Sequence, residues 1–299
     1  MSEQETFAER LSPGPAVALA GLLGQDTSVV TEGFVLPPMW HLVYLLERPA
    51  HSELGPEGHP VHGIPQPPSP GLRRMFAGGR VRNLAPLRVG TSATRTTRVA
   101  DVRKRSGRTG DLTIVTTESL FERNDGVVAV IEEQDIVYRE ARKLPPPDPA
   151  TARRLPEDVK SQSFPVDEAL LFQFSALTYN AHRIHYDADY CRNVEDYDGL
   201  VVHGPLQALL MAQAANRELE ATGWSGPTTF SYRLVAPMTL GQGLRIAVGS
   251  PTPDSDGASH TWETFAADGS GRVTAGGKMK SAADTEAHGA KSTRASAES

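Results

Sequence analysis

Apolar positions cluster through Leu112 to Phe121 and again through Val127 to Val137, with Asn124-Asp125-Gly126 between them. Both runs are rich in β-branched residues, and with a turn signal between them they predict two antiparallel strands. A second set follows downstream: Leu244 to Gly249, His260 to Phe265 and Arg272 to Met279, separated by Asp254-Ser255-Asp256-Gly257 and Asp268-Gly269-Ser270-Gly271. Pro205 to about Ala221 has the other periodicity. Leu206, Leu209, Leu210, Met211 and Ala214 cover most of its faces early on, which predicts a buried helix opening on proline. The short apolar run Ala169 to Phe174 reads as strand-like. Helix followed by antiparallel strands places the chain in the α+β class.

The pattern repeats. Arg82-Asn83-Leu84-Ala85-Pro86-Leu87-Arg88-Val89-Gly90 matches Arg233-Leu234-Val235-Ala236-Pro237-Met238-Thr239-Leu240-Gly241, with Arg, Ala, Pro and Gly in step 151 residues apart. Upstream of each copy, Val35-Leu36-Pro37-Pro38-Met39-Trp40-His41-Leu42 matches Val202-His203-Gly204-Pro205-Leu206-Gln207-Ala208-Leu209. Both read as helix starts, with Pro37 in the place of Gly204. A long helix wrapped by a curved antiparallel sheet is the unit of a hot-dog fold, and two tandem copies predict a double hot-dog. The expected organisation is a degenerate first half over residues 1–140, a proline-bearing linker over 141–164, a second half over 165–280 and an Ala/Ser/Thr-rich tail over 281–299. His51 to Gly71, dense in proline and glycine, reads as an irregular loop that shapes the pocket.

Composition narrows the setting. The chain has 299 residues, a formal net charge of −6 and one cysteine, Cys191, so it forms no internal disulfide. Its N-terminal residues carry no basic segment followed by an apolar run. The apolar stretch Phe34 to Leu46 is interrupted by Pro37 and Pro38 and is shorter than the ~20 residues of a spanning helix. The expectation is a cytoplasmic protein with no membrane and no nucleic-acid partner. Arg73 to Arg108 nonetheless holds eleven basic residues and one acidic one. Such a segment either binds phosphates or is a solvated strand face.

The densest polar cluster is Ser175 to Asp187, which contains Tyr179, Asn180, His182, Arg183 and His185. Gly199-Leu200-Val201-Val202-His203-Gly204-Pro205 then leads into the predicted helix. Gly204 allows close approach to the backbone, and its N–H lies at the positive end of the helix dipole without an intrahelical partner. That is a place to hold a carbonyl oxygen as it gains negative charge. Histidine is the side chain best suited to proton transfer at neutral pH.

The pattern Asn-x-His-Arg-Ile-His-Tyr-Asp followed by Val-Val-His-Gly-Pro-Leu resembles the MaoC-like (R)-specific enoyl-thioester hydratases. It is most similar to the branch of type-2 hydroxyacyl-thioester dehydratases and mesaconyl- and itaconyl-CoA hydratases. Gly78-Gly79-Arg80 and Glu132 to Arg139 resemble the degenerate first half of the same proteins. The resemblance implies a hydro-lyase acting on an acyl-CoA or acyl-carrier thioester, with His185 on the family histidine and Gly204 on the oxyanion glycine. The family's aspartate is Asn180 here. An amide is no base, so Asn180 is expected to orient the water or hydroxyl while His185 moves protons. Tyr179, His182, Arg183, His203, Arg73, Arg74 and Arg80 are the expected substrate-binding residues. Arg183 also has the alternative of an ion pair with Asp187.

No cofactor beyond the thioester substrate and no metal is expected, because His182, His185 and Asp187 lack a defined further ligand. Gly223-Trp224-Ser225-Gly226-Pro227 is not a hydrolase elbow, and no phosphate-binding loop is present. A hot-dog acyl-CoA thioesterase and a non-catalytic acyl-thioester binding protein stay open as alternatives. So does the choice between a monomer and a homodimer of double hot-dog units.

Overall fold

The computed structural model describes residues 4–65, 67–69, 72–107, 110–140, 152–253 and 259–281. Residues 141–151 of the expected linker, the turn at 254–257 and the expected tail from 282 lie outside these. In chain order the strands are β1 (Gln4–Arg10), β2 (Leu72–Asn83), β3 (Ser92–Gly107), β4 (Gly110–Arg123), β5 (Val128–Glu140), β6 (Ser161–Phe164), β7 (Thr228–Leu234), β8 (Leu244–Val248), β9 (Thr252–Pro253), β10 (His260–Ala267) and β11 (Val273–Ser281). The α-helices are α1 (Pro13–Leu22), α2 (Glu168–Leu177), α3 (Ala188–Asn193) and α4 (Gly204–Glu220).

All strands join one sheet in the order β1-β3-β4-β5-β2-β7-β11-β10-β8-β6, with β9 paired to β10. First-half strands therefore lie on one side of the antiparallel β2–β7 ladder and second-half strands on the other. Gly78 and Gly79 stand at this seam opposite Arg233 and Tyr232. A Cβ on Gly78 would run into the Tyr232 carbonyl, so the close crossing of the two halves requires glycine there.

The nine-residue repeat is realised in the backbone. Leu84 and Ala85 N–H both donate to Ala129 O, and Val235 and Ala236 N–H both donate to Thr274 O. Gly90 and Gly241 end the two copies with φ of 89° and 91°. Upstream, Val35 bridges Arg88 as Val201 bridges Thr239, and Leu36 N–H meets Leu87 O as Val202 N–H meets Met238 O. That equivalence shifts the sequence match by one residue: Pro38, not Pro37, takes the place of Gly204. Either proline lacks the N–H, so this position of the first half offers no equivalent donor.

The helix expected to begin here in the first half does not form. Met39 turns the chain at φ 71°, a 3-10 turn spans Trp40–Val43, and Leu45 turns it again at φ 54°. Trp40, Tyr44 and Leu45 are almost completely buried, so bulky side chains on a short turn fill the space a helix would occupy. The second half keeps its helix. α4 has ten buried residues and packs on β8, β10 and β11, with Trp262 and Met279 in the same core. Its buried polar Gln207 is satisfied by Thr274 Oγ1 at 2.7 Å.

Ala169 to Phe174 also departs from expectation, forming helix α2 rather than a strand. Asp167 caps it by accepting from Leu170 N–H at 2.8 Å. Leu171, Phe174 and Ser175 form its buried face at helical spacing, while Phe172 points outward. Among the described residues no helix is long and apolar enough to cross a membrane.

Candidate active site

Helix α2 ends in a tight reversal that presents the polar cluster. Asn180 N–H bonds back to Ser175 O at 2.8 Å and Tyr179 N–H to Ala176 O at 3.3 Å, with Tyr179 at φ 50°. This six-to-one and five-to-two pairing is a Schellman cap with a non-glycine residue in the left-handed position. It turns Asn180 toward the next segment, where its Oδ1 accepts from His182 N–H at 3.0 Å. A 3-10 turn over Arg183–His185 follows, anchored by Val201 N–H to Ile184 O at 2.8 Å.

His185 is buried. Its Nδ1 lies 2.7 Å from Val201 O, so Nδ1 carries the hydrogen and Nε2 the lone pair. Burial lowers its pKa from 6.5 to about 4 against the opposing pull of the carbonyl, and the ring is neutral at pH 7. His203 stacks on it with ring centroids 3.6 Å apart. His203 is itself inaccessible, bonded through Nε2 to Ser175 Oγ at 2.8 Å, and burial holds it well below 6.5. It supports the His185 ring from behind.

Gly204 is the first residue of α4 and its N–H has no acceptor among the described residues. A Cβ at this position would overlap Leu234 Cδ1 and approach Phe76 Cδ1 to 3.3 Å. Only glycine lets the helix start pack this closely beneath the seam.

These groups share a cavity of about 630 Å³ with both halves of the chain. Asn180, His182, His185, Gly204 and Tyr179 line it, as do Arg73 and Arg74 of β2. Three expected binding residues lie elsewhere. Arg183 pairs with Asp187 at 2.7 Å and stacks over Tyr190, His203 is behind His185, and Arg80 is outside the cavity, paired with Glu133 at 3.2 Å. The basic segment is largely compensated: Arg82, Arg98 and Arg103 also face carboxylates.

The loop after His51 contributes residues that no sequence motif singles out. Glu57 O accepts from Arg183 N–H at 2.9 Å, and a Cβ on Gly58, at φ 93°, would collide with the Ala181 backbone. His59 is thereby set against His182, ring centroids 4.0 Å apart. Burial and the nearby Arg74 charge hold His59 well below 6.5; burial first, then His59 and His185, bring His182 to about 2. Nothing local marks His59, since its role depends on a contact 123 residues away in the chain. Among the described residues the groups that come nearest to a metal-ligand set are Glu57, His59 and His182, within 4.8 Å of one another, rather than His182, His185 and Asp187. Glu57 Oε1 is already 3.0 Å from His59 Nδ1, and we assign no metal there.

The site can therefore offer one unprotonated imidazole nitrogen, one carboxamide and one helix-start N–H to a ligand with a carbonyl group.

The profile of a protein family described as hydroxyacyl-thioester dehydratase type 2 matches residues 39–240. The chain is 42% identical over 225 residues to mesaconyl-C(4)-CoA hydratase of Chloroflexus aurantiacus, covering 75% of this chain and 78% of that protein. It is 29% identical over 121 residues to the mitochondrial hydroxyacyl-thioester dehydratase type 2 of Schizosaccharomyces pombe, covering 40% and 39%. A MaoC-like dehydratase structure from Phytophthora capsici superposes with TM-score 0.66 at 17% identity, over 95% of this chain and 97% of that one. A Mycobacterium tuberculosis protein described as a double hotdog superposes at 0.56 with 15% identity, over 94% and 96%. The fold is a double hot-dog.

Proposed function

From the premise that this chain belongs to the hydroxyacyl-thioester dehydratase type 2 family, we propose that it adds water reversibly to an α,β-unsaturated acyl thioester, acting as a hydro-lyase through His185, Asn180 and Gly204. The observation that carries the assignment of roles is the meeting of these three groups on one cavity wall.

In this reading the thioester oxygen docks on the Gly204 N–H at the positive end of α4, which stabilises the enolate. Loss of one such donor costs about 3 kcal/mol. Asn180, with Oδ1 held by His182 N–H, turns its NH₂ to the attacking water. Water loses a proton to His185 Nε2 as its oxygen bonds to Cβ. The π pair moves to Cα and onto the thioester, and Nε2 then returns the proton to Cα. Atoms and charge balance without an external acid. The neutral state of His185 at pH 7 suits it to begin as base. The first half contributes the pocket wall rather than a second centre, because Pro38 has no N–H to offer.

The acyl group is short and branched and bears a second carboxylate, a reading supported by the 42%-identical relative, whose name specifies a mesaconyl thioester. Coenzyme A is the carrier, a reading supported by the same relative, whose name specifies a CoA thioester. The test is an assay of purified protein against crotonyl-, mesaconyl- and itaconyl-CoA, reading loss of enoyl absorbance or product mass. Hydration abolished by His185→Ala is the expected result. Release of free thiol from saturated acyl-CoA, or tight binding without turnover, would replace this reading with a thioesterase or a binding protein.

A further inference from the structure

The cavity wall holds a cation that the hydration chemistry does not use. Arg74, on β2, is half-buried, and among the described residues no carboxylate comes within 4.0 Å of it and no hydrogen-bond acceptor is assigned to it. The neighbouring cavity cations differ. Arg73 is paired with Glu195 at 3.2 Å and bonds Val194 O at 2.6 Å. Arg95 faces Glu132, Glu47, Glu5 and Glu9. Glu57, which acts on His182 and Tyr138 together with Arg74, is engaged with His59. Glu47 feels the charge of Arg95 ahead of that of Arg74, and burial raises its pKa, which weakens it as a counter-ion. A guanidinium with no bonded anion in a partly dry wall is costly unless one arrives.

Its location says which anion. Arg74 stands close enough to His59, His182 and Tyr138 for its charge to act on all three. The His182 ring lies 5.7 Å from the His185 ring, and its Nε2 is buried with no partner. A thioester oxygen on Gly204 and a water on His185 place Cβ next to His185, so a substituent on Cβ points toward His182 and Arg74. The phosphates of coenzyme A lie a full pantetheine arm away from that carbon.

We propose that Arg74 is the specificity-determining residue of this site, gripping a carboxylate attached to the β-carbon of the acyl group, with the unpartnered His182 edge beside it. This deepens the hydro-lyase reading and rests on it for the orientation of the acyl chain. A guanidinium fork matches a carboxylate in two bonds, whereas a terminal methyl would leave the cation unpaired.

The test uses two stable thioethers that need no turnover, S-(3-carboxypropyl)-CoA and S-butyl-CoA. They differ only in carrying a carboxylate or a methyl at the β-carbon position. Calorimetry on the intact protein should show the carboxylated ligand preferred by roughly thirty-fold or more. Arg74→Met and Arg74→Gln should abolish that preference while leaving S-butyl-CoA affinity close to wild type, and Arg74→Lys should keep part of it. Equal binding of the two ligands by wild type would overturn the proposal. So would a preference that survives in either neutral variant, or equal weakening of both ligands, which would mark Arg74 as a structural or phosphate contact. Absence of hydration on every acyl-CoA would instead sink the reaction, while the binding preference would still decide the role of Arg74.

Discussion

Replacing His185 with asparagine separates the two nitrogens of one ring. Asparagine Nδ2 falls near the position of imidazole Nδ1 and can still donate to Val201 O, the bond that measures 2.7 Å in the structure. What disappears is Nε2, the base. A positioned general base contributes ~10²- to 10⁴-fold, or about 3–5 kcal/mol of transition-state stabilisation. The structural cost is smaller. The side chain is buried and its ring covers His203 at 3.6 Å, so trimming it should lower stability by about 1–3 kcal/mol. Stopped-flow hydration of the preferred enoyl-CoA should therefore show kcat reduced at least ~100-fold with KM little changed, in a protein whose near-ultraviolet circular dichroism is native. The pH profile supplies a second reading. With a folded value of about 4, the base form of His185 prevails from neutral pH down to mild acid, and kcat/KM should fall only as pH drops toward 4. A folded His185→Asn protein within ten-fold of wild-type kcat would remove Nε2 from the mechanism.

Gly204→Ala inserts a methyl group against Leu234 and Phe76 and displaces the helix-start N–H; kcat should fall by ~10²-fold or more with the fold retained, and an unchanged kcat would discard the oxyanion role. Asn180→Asp restores a carboxylate at the family position and can still accept from His182 N–H. The added negative charge should raise the His185 pKa and move the acid limb of kcat/KM upward, so an unmoved limb would show that the two groups do not interact. Stability should also respond to acid. His185, His182, His59 and His203 all have folded pKa values below 6.5, so the unfolded chain binds more protons as pH falls. Stability is then complete above about pH 6.5 and is lost toward pH 4, with His185 alone accounting for about 3 kcal/mol. A melting temperature constant between pH 7 and pH 5 would contradict the buried neutral cluster.

Sequence alone determined the features that rest on local pattern. The β4–β5 hairpin follows from two β-branched runs around Asn124-Asp125-Gly126, and α4 from an apolar run opening on Gly204-Pro205. The nine-residue repeat announced two related halves because Gly90 and Gly241 must each adopt positive φ at the same turn. Asn180, His185 and Gly204 are singled out by a family's spacing, and the fold brings them to one cavity. The failures are equally local in cause. Ala169 to Phe174 is too short for periodicity to separate strand from helix, and only the Asp167 cap and the burial of Leu171 and Phe174 decide it. The missing first-half helix is a matter of packing, since Trp40 and Tyr44 are buried there on a short 3-10 turn. What no sequence pattern could show is which distant segments meet. Gly58 against Ala181, His59 against His182 and Arg74 with no bonded carboxylate among the described residues are consequences of two halves closing on one cavity, where burial removes water and makes each unpaired group matter.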